Sequence, residues 1–218
     1  MYNIALDGPS GSGKSTLAKA ISKKLNILYL DTGAMYRACG LKAKKLGIST
    51  KDEQAVSTFI NDIDIKIAYK DGAQVTMLDG EDVSLKIREN DISMLASNIS
   101  ALKCVREKLV ALQREIAKEQ SCVLDGRDIG TNVLPFAKYK FFITASTEER
   151  TKRRYKELKE KGMEVDFDTL YKEIETRDYN DSHREFAPLR QADDAILVDT
   201  TSMNIEEVIN FVLSYVKE

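Results

Sequence analysis

The segment with the clearest chemical signature is residues 8–15, GPSGSGKS, which match the phosphate-binding pattern GxxxxGK[ST]. Glycines let backbone N–H groups turn inward around phosphate oxygens, and a following helix directs its positive end toward them. Lys14 would place a cation on the β- and γ-phosphates, and Ser15 would offer an oxygen to Mg²⁺. A plain glycine-rich turn is the alternative, but the apolar run before the motif and the amphipathic segment after it favour a phosphate-binding loop. We expect Lys14 to lie in the first turn of an exposed helix end.

Two further polar segments follow apolar runs that predict strands. Residues 31–37, DTGAMYR, could hold a second, anionic substrate, or could form an ordinary helix cap beside a core tyrosine. Residues 125–130, DGRDIG, place Arg127 between two carboxylates, where it could grip a phosphate or form a structural salt-bridge node. Asp125 closes its apolar run as a metal-binding Walker B aspartate would.

Basic residues recur in the C-terminal third of the chain. Arg177, Asp181 and Arg184 are spaced i, i+4 and i+7, so a helix would place all three on one face. Residues 150–154, RTKRR, form a second basic group. Each group could instead be a solvated ladder of ion pairs, and for residues 150–154 the two interpretations have equal weight.

The composition favours phosphoryl transfer over chemistry that needs histidine or cysteine. The chain has one histidine, His183, and three cysteines without CxxC spacing, which excludes multi-histidine metal sites and a disulfide framework. Moving a phosphoryl group between two phosphorylated molecules concentrates negative charge. Catalysis is then mainly positioning and neutralisation by arginine, lysine and Mg²⁺, the set that these motifs provide.

The overall charge and hydropathy exclude several classes of partner. The 218 residues carry 33 Lys+Arg and 35 Asp+Glu, a net charge of −2, which argues against general duplex binding, so no nucleic-acid partner is expected. Since no window approaches 18 uninterrupted apolar residues, no membrane association is expected either. The N-terminus lacks the basic region of a secretory signal, and we expect a cytoplasmic protein.

Hydrophobic periodicity predicts alternating strands and helices, and therefore a parallel sheet covered by helices on both faces. The predicted strands are 4–6, 27–30, 122–124, 141–143 and 195–198. The predicted helices are 14–25, 34–46, 147–161, 168–178 and 204–217, with two more within 91–119 that join near Leu102. Alternating isoleucines from Ile63, with a turn at Asp71-Gly72, predict an antiparallel meander at about 63–90 that interrupts this order.

Taken jointly, five segments resemble the bacterial cytidylate kinase (CMP kinase) family of P-loop nucleoside-monophosphate kinases. In chain order they are GPSGSGKST, DTGAMYR, SNISALKCVREKLVALQR, DGRDIGT and RDYNDSHREFAPL. The resemblance spans residues 2–215. It implies an α/β fold with a parallel five-stranded sheet in a core of residues 1–62 and 101–218. It also implies a small antiparallel NMP-binding insertion at 63–100 and a short mobile lid at about 147–165, a strongly charged segment with few apolar anchors.

The resemblance also implies roles for individual residues. The ATP phosphates would be held by Gly8, Pro9, Ser10, Gly11, Ser12, Gly13, Lys14, Ser15 and Thr16. The ribose of CMP would be held by Thr32, Arg177 and Asp181, and the cytosine edge by Ser97, Arg106 and Asp128. The CMP phosphate would be held by Arg37, Arg127 and Arg184, with Tyr36 packed nearby. Lys14, Arg127 and Arg184 would be catalytic, and Ser15 would ligate Mg²⁺, with Thr16 as the alternative ligand.

The predicted function is ATP-dependent phosphorylation of CMP and dCMP to CDP and dCDP, with Mg²⁺, by a monomer. A kinase for UMP or AMP is the nearest alternative. Ser97, Arg106 and Asp128 argue for cytosine, because the carboxylate of Asp128 can accept from the exocyclic amino group that uracil lacks. A non-enzymatic P-loop switch is a more distant alternative, and it would have no use for a second anion site.

Overall fold

The computed structural model describes residues 1–70 and 73–216. The chain separates into two compact units, one of residues 1–28 and 121–218 and the other of residues 29–120. The predicted insertion at 63–100 has narrower bounds than the second unit, and its role in nucleotide binding stays a prediction. None of the helices in the described part of the chain is both long and apolar enough to cross a membrane.

A five-stranded parallel sheet with the order β2-β6-β1-β7-β8 forms the centre of the fold. Its strands are β1 (Asn3–Asp7), β2 (Leu28–Asp31), β6 (Cys122–Gly126), β7 (Tyr139–Thr144) and β8 (Ile196–Asp199). The central strand β1 pairs with β6 along one edge and with β7 along the other. Its apolar residues Ile4, Ala5 and Leu6, which point to both faces of the sheet, are fully buried. This burial explains why the strands appear in the sequence as short continuous apolar runs rather than as alternating ones.

Within its described residues, the first unit has the α-helices α1 (Lys14–Leu25), α6 (Thr147–Glu160), α7 (Phe167–His183) and α8 (Ile205–Tyr215). Helix α1 buries Leu17, Ala18 and Ile21 on one face, the face that the sequence periodicity predicts. Helix α7 is longer than predicted and ends at His183. Arg184 has extended backbone beyond the helix, so the expectation that Arg177, Asp181 and Arg184 share one helical face is wrong for Arg184.

The second unit combines helices with a separate three-stranded antiparallel sheet. Its helices are α2 (Thr32–Leu46), α3 (Glu53–Ile60), α4 (Asn90–Ile99) and α5 (Lys103–Glu119), and its strands are β3 (Ile65–Lys70), β4 (Ala73–Leu78) and β5 (Glu81–Asp82). The antiparallel sheet and the paired helices α4 and α5 are as predicted. The predicted turn at Asp71-Gly72 lies outside the described residues. Helix α3 was not predicted.

The segment expected to form a lid has more apolar anchors than its sequence indicates. Leu158 of α6 is buried in a small core with Leu170 and Ile174 of α7, and Tyr155, Met163 and Val165 pack against it. The expectation of few apolar anchors is therefore wrong. The assignment of residues 147–165 as a lid stays a prediction.

Candidate active site

The loop between β1 and α1 has the backbone conformation of a phosphate cradle. Gly8, Gly11 and Gly13 all have positive φ angles, of 144°, 76° and 90°. A Cβ atom at Gly8 would lie 1.9 Å from the carbonyl oxygen of Ile143, so only glycine fits there. Gly13 is also the residue before α1 and has no side chain to cap the helix. The N–H groups at this helix end are therefore left for an anion.

Lys14 lies inside this loop rather than on its surface. Its side chain is buried, and Nζ donates to the carbonyl oxygen of Pro9 at 2.6 Å and to Ser12 Oγ at 3.1 Å. Burial and the positive charge of Arg127 hold the pKa of Lys14 well below its usual range, against the attraction of Asp125 and Asp7. The expectation that Lys14 marks an exposed helix end is wrong, because the loop wraps around the ammonium group. This position places the cation where bound phosphates would be cradled.

Ser15 and Asp125 form an oxygen pair of the kind that binds a hard cation. Ser15 Oγ donates to Asp125 Oδ2 at 2.5 Å across 110 residues of sequence. Asp125 is buried near the end of β6, opposite Leu6 of β1. A hydroxyl and a carboxylate suit Mg²⁺, which binds few protein oxygens and keeps several waters. Within residues 1–70 and 73–216 no group of three or more His, Cys, Asp or Glu side chains could hold a metal by itself.

Arginine–aspartate pairs occupy the segment that follows β6. Arg127 Nε donates to Asp181 Oδ2 at 2.8 Å. Burial opposes the charge on Asp181, but Arg127, Arg177 and Arg184 outweigh that effect and lower the pKa of Asp181. Arg184 lies 3.5 Å from Asp128 Oδ1, and both side chains are almost fully buried. These contacts bring together Arg127, Asp128, Asp181 and Arg184, four of the residues predicted to bind CMP.

The basic group at 150–154 divides into two kinds of residue. Lys152 and Arg154 pair with Glu148 and Glu157 on the surface of α6, which is the solvated ladder. Arg150, by contrast, is only 4% exposed.

Arg150 lies on α6, and its guanidinium connects the phosphate-binding loop with α7. It donates to the carbonyl oxygen of Ser10 at 3.1 Å and pairs with Asp178 at 2.6 Å. Arg177 also contacts this loop, donating to Ser10 Oγ at 3.3 Å. The sequence pattern could not distinguish Arg150 from its neighbours, because these contacts lie 140 residues away or on another helix.

Asp7 is a functional candidate that no motif in the sequence indicates. Its carboxylate is buried and accepts hydrogen bonds from the backbone N–H groups of Ile129 and Gly130, each at 2.7 Å. Burial raises the pKa of Asp7 to about 6, although these two bonds oppose the rise. The one signal in the sequence was an acidic residue between an apolar run and the first glycine of the phosphate-binding motif.

In the second unit, Asp31 organises the start of α2. Asp31 Oδ1 accepts from the N–H of Ala34 at 2.9 Å, which is an N-terminal helix cap, and Oδ2 accepts from Arg37 at 2.8 Å. Thr32 is buried at the first turn of this helix. The helix-cap alternative for residues 31–37 is therefore present in the structure. It holds Arg37 by its ion pair and does not exclude binding of an anion.

Arg106 is the most deeply buried cation of the second unit among the predicted site residues. It is 1% exposed, its guanidinium carbon lies 5.5 Å from the centre of the Tyr36 ring, and Nη1 donates to the carbonyl oxygen of Ser100 at 3.2 Å. Ser97, also predicted to contact cytosine, lies half-buried on α4. Tyr36 and Arg106 are thus in contact.

Comparison with known proteins identifies the family of the chain. A family model described as cytidylate kinase matches residues 4–218. A cytidylate kinase from Caldicellulosiruptor bescii is 54% identical over 97% of this chain and 93% of its own length. One from Pediococcus pentosaceus is 50% identical over 99% of this chain and 96% of its own length. The chain belongs to the cytidylate kinase family.

Membership of the cytidylate kinase family makes the protein an ATP-dependent nucleoside-monophosphate kinase. Similarity to solved structures adds information on the fold alone. The crystal structure of an uncharacterized protein from Eubacterium ventriosum has a TM-score of 0.53 and 15% identity, and the match covers 99% of this chain and 98% of that chain.

Proposed function

We propose that the protein transfers the γ-phosphoryl group of ATP directly to CMP and dCMP, forming CDP and dCDP. The observation that carries the proposal is the buried Lys14 within a loop of left-handed glycines, in the same unit as the paired arginines Arg127 and Arg184. An in-line transfer between two phosphates needs positioned positive charge more than a nucleophile or a histidine base.

On the ATP side, we assign the phosphates to residues 8–16. The backbone N–H groups of the loop and of the first turn of α1 would surround the phosphate oxygens, and Lys14 would neutralise the γ-phosphoryl group during transfer. Ser15 and Thr16 are both exposed at the start of α1.

We assign Mg²⁺ to Ser15 and Asp125, whose oxygens lie 2.5 Å apart. That short contact favours Ser15 over Thr16 as the hydroxyl ligand. When bound, the metal would neutralise charge on the ATP phosphates. The role of the protein is to hold the hydroxyl of Ser15 and the carboxylate of Asp125 at one point beside the phosphate-binding loop.

For the monophosphate, we assign roles to the residues of the first unit by their chemistry. Arg127 and Arg184 present planar guanidinium groups suited to a phosphate and act as catalytic cations. Asp128 would accept from the amino group of cytosine, and Asp181 and Arg177 would contact the ribose.

From the second unit, we assign Arg37 to the CMP phosphate, with Tyr36 packing near it, and Thr32 to the ribose. Ser97 and Arg106 would contact the cytosine edge. The buried charge of Arg106 supports this assignment, because a fully desolvated arginine is retained more readily where it has a polar ligand to bind.

The test is a substrate screen with ATP and Mg²⁺ against CMP, dCMP, UMP and AMP. We expect ATP consumption to depend on added monophosphate, with CMP and dCMP far better than UMP and AMP. Preference for UMP or AMP would replace the cytosine assignment. Nucleotide binding without any dependence of ATP turnover on monophosphate would favour a P-loop switch.

We further propose a cytoplasmic monomer. The three cysteines are free thiols, and burial raises the pKa of Cys39 and Cys122, so neither is a reactive thiolate. Such thiols suit a reducing compartment. Light scattering of the purified protein would test the oligomeric state, and a stable dimer would contradict it.

A further inference from the structure

The pairing of β1 with β6 ends where the proposed substrate-binding loop begins. The ladder runs from Asn3 opposite Cys122 to Asp7 opposite Gly126, and the loop of residues 127–130 lies beyond it. The backbone of Asp7 is also paired with Phe142 on the other side. The backbone position of Asp7 therefore does not depend on its side chain. The loop of residues 127–130, by contrast, lies beyond the last backbone pair between β1 and β6.

At this point the side chain of Asp7 supplies the hydrogen-bond acceptors that a neighbouring strand would otherwise provide. Its two oxygens accept separately from the consecutive amides of Ile129 and Gly130, each at 2.7 Å. These amides stand at the start of the π-helical turn Ile129–Val133, where N–H groups have no partner within the turn. Both bonds are charge-assisted, and such bonds are about twice as strong as neutral ones.

The loop fits closely against this carboxylate. A Cβ atom at Gly130 would lie 3.3 Å from Asp7 Oδ2 and 3.2 Å from Lys140 Cδ, which is tighter than ordinary side-chain contacts. Glycine at position 130 thus allows the approach that makes both hydrogen bonds short.

Burial of a charged carboxylate at this position is energetically unfavourable. Asp7 is 4% exposed, and burial raises its pKa to about 6. Nearby Asp128 raises the pKa of Asp7 further, and Lys14 lowers it. A buried group held at such a disadvantage is more common at functional sites than in purely structural ones.

We propose that Asp7 is a positioning residue, whose carboxylate fixes the loop of residues 127–130 against the strand that leads into the phosphate-binding loop. This inference rests on the proposed assignment of Arg127 and Asp128 to CMP. Those two residues immediately precede the amides that Asp7 holds. Asp7 therefore sets where the proposed phosphate ligand and the proposed base-reading carboxylate stand relative to Gly8.

The experiment compares Asp7→Asn with Asn204→Ala. The amide of Asn has one acceptor for two N–H donors, so one of the bonds is lost and a donor faces a donor. Asn204 is the matched control, because its Oδ1 also accepts from two consecutive amides, Glu206 and Glu207, at the start of α8. Its loss is expected to lower stability by a similar amount without touching the loop.

We expect Asp7→Asn to raise KM for CMP about tenfold, the effect of one lost buried hydrogen bond, and to leave KM for ATP within about twofold. Asn204→Ala is expected to change neither. The amide proton resonances of Ile129 and Gly130 are expected to move upfield in Asp7→Asn. An equal rise in both KM values, or unmoved amide resonances, would overturn the proposal.

Two further measurements separate this proposal from its premises. If Asp7→Asn does not fold, the test is an NMR measurement on the wild type of the couplings through the hydrogen bonds from the Asp7 carboxyl carbon to the amides of Ile129 and Gly130. The absence of these couplings with CMP bound would refute the positioning role. If Asp128→Asn and Arg127→Lys leave KM for CMP unchanged while Asp7→Asn moves both amides, the assignment of the loop to CMP fails. The hold of Asp7 on the loop is then still supported.

Discussion

Substituting Asp128 by asparagine is the sharpest test of how the protein selects its base. The change keeps the shape of the side chain and removes its charge. In the structure Asp128 Oδ2 accepts from Asn132 Nδ2 at 2.9 Å, and Oδ1 faces Arg184 at 3.5 Å. An asparagine that keeps its carbonyl toward Asn132 places an amide NH₂ where Oδ1 stood. That group donates, whereas the carboxylate only accepted.

The magnitude follows from the change in hydrogen-bonding polarity. A carboxylate that accepts from the amino group of cytosine would meet a carbonyl oxygen in UMP, and a buried group left unpaired costs about 1–3 kcal/mol. This corresponds to about ten- to a hundredfold in specificity. We expect Asp128→Asn to narrow the CMP-over-UMP ratio of kcat/KM by that factor, mainly by loss of CMP efficiency, with some gain for UMP.

The same substitution is also expected to lower the free energy of unfolding, by less than it changes base specificity. Arg184 loses a charged neighbour at 3.5 Å, but keeps the carbonyl oxygen of Ala187 as an acceptor at 2.7 Å. We expect a loss of about 1 kcal/mol, which for a chain of this size lowers Tm by about 2–4 °C. A drop in Tm is therefore expected whether or not Asp128 reads the base, and Tm alone cannot decide.

The deciding assay measures kcat/KM for CMP and UMP in wild type, Asp128→Asn and Arg127→Lys. Arg127 is assigned to the phosphate that both nucleotides share, so its substitution should weaken both about equally. Lysine keeps a positive charge beside the buried Asp181, which protects the control from a collapse of that ion pair. A lowered Tm with an unchanged ratio in Asp128→Asn would show that the loop is a structural salt-bridge node.

Three further predictions concern the phosphate-binding loop and the strand before it. Lys14→Ala should keep a cooperative melting transition and lower kcat by about 100-fold or more, since it removes one preorganised donor, and near-normal turnover would refute the loop assignment. Gly8→Ala should fail to fold or lose several kcal/mol, because its Cβ would lie 1.9 Å from the Ile143 oxygen. The matched control Gly162→Ala, with φ +74° and open space, should lose only about 1 kcal/mol. The pKa of Asp7 rises from 3.8 to about 6 on folding, so the folded protein binds this proton more tightly than the unfolded chain. The resulting contribution of about 3 kcal/mol to the free energy of unfolding is present below pH 3.8 and disappears as pH rises through 6. Denaturant titrations of wild type and Asp7→Asn at several pH values should therefore show that only the wild type has this dependence.

Short-range signals in the sequence were enough to predict most elements. Continuous apolar runs predicted all five strands of the parallel sheet, and Gly47 marks the end of α2, with a φ of 67°. Helix α3 was missed although Asp52 caps it and Val56, Phe59 and Ile60 lie on one face. Those apolar residues are few and the helix has only eight residues, so local periodicity gave a weak signal.

The site residues were harder to predict where their role depends on distant segments. The motif gave the position of Lys14 but not its burial, because burial comes from the surrounding loop. Arg150 was indistinguishable from its charged neighbours until its contact with Ser10, 140 residues away, was visible. Asp7 and Ile129 are separated by 122 residues. Sequence pattern gives residue types on an element, whereas these roles are properties of packing between elements.

The aspartates of the first unit explain how so many cations can stand together. Lys14, Arg127 and Arg184 each have an acceptor within the protein, namely Pro9 O, Asp181 and Asp128. A buried cation without a partner would be strongly destabilising, and mutual repulsion would push the three apart. The acceptors hold the three side chains in fixed positions, so a bound phosphate meets groups that are already oriented. Because orientation is established during folding, less of the binding energy is spent on ordering side chains.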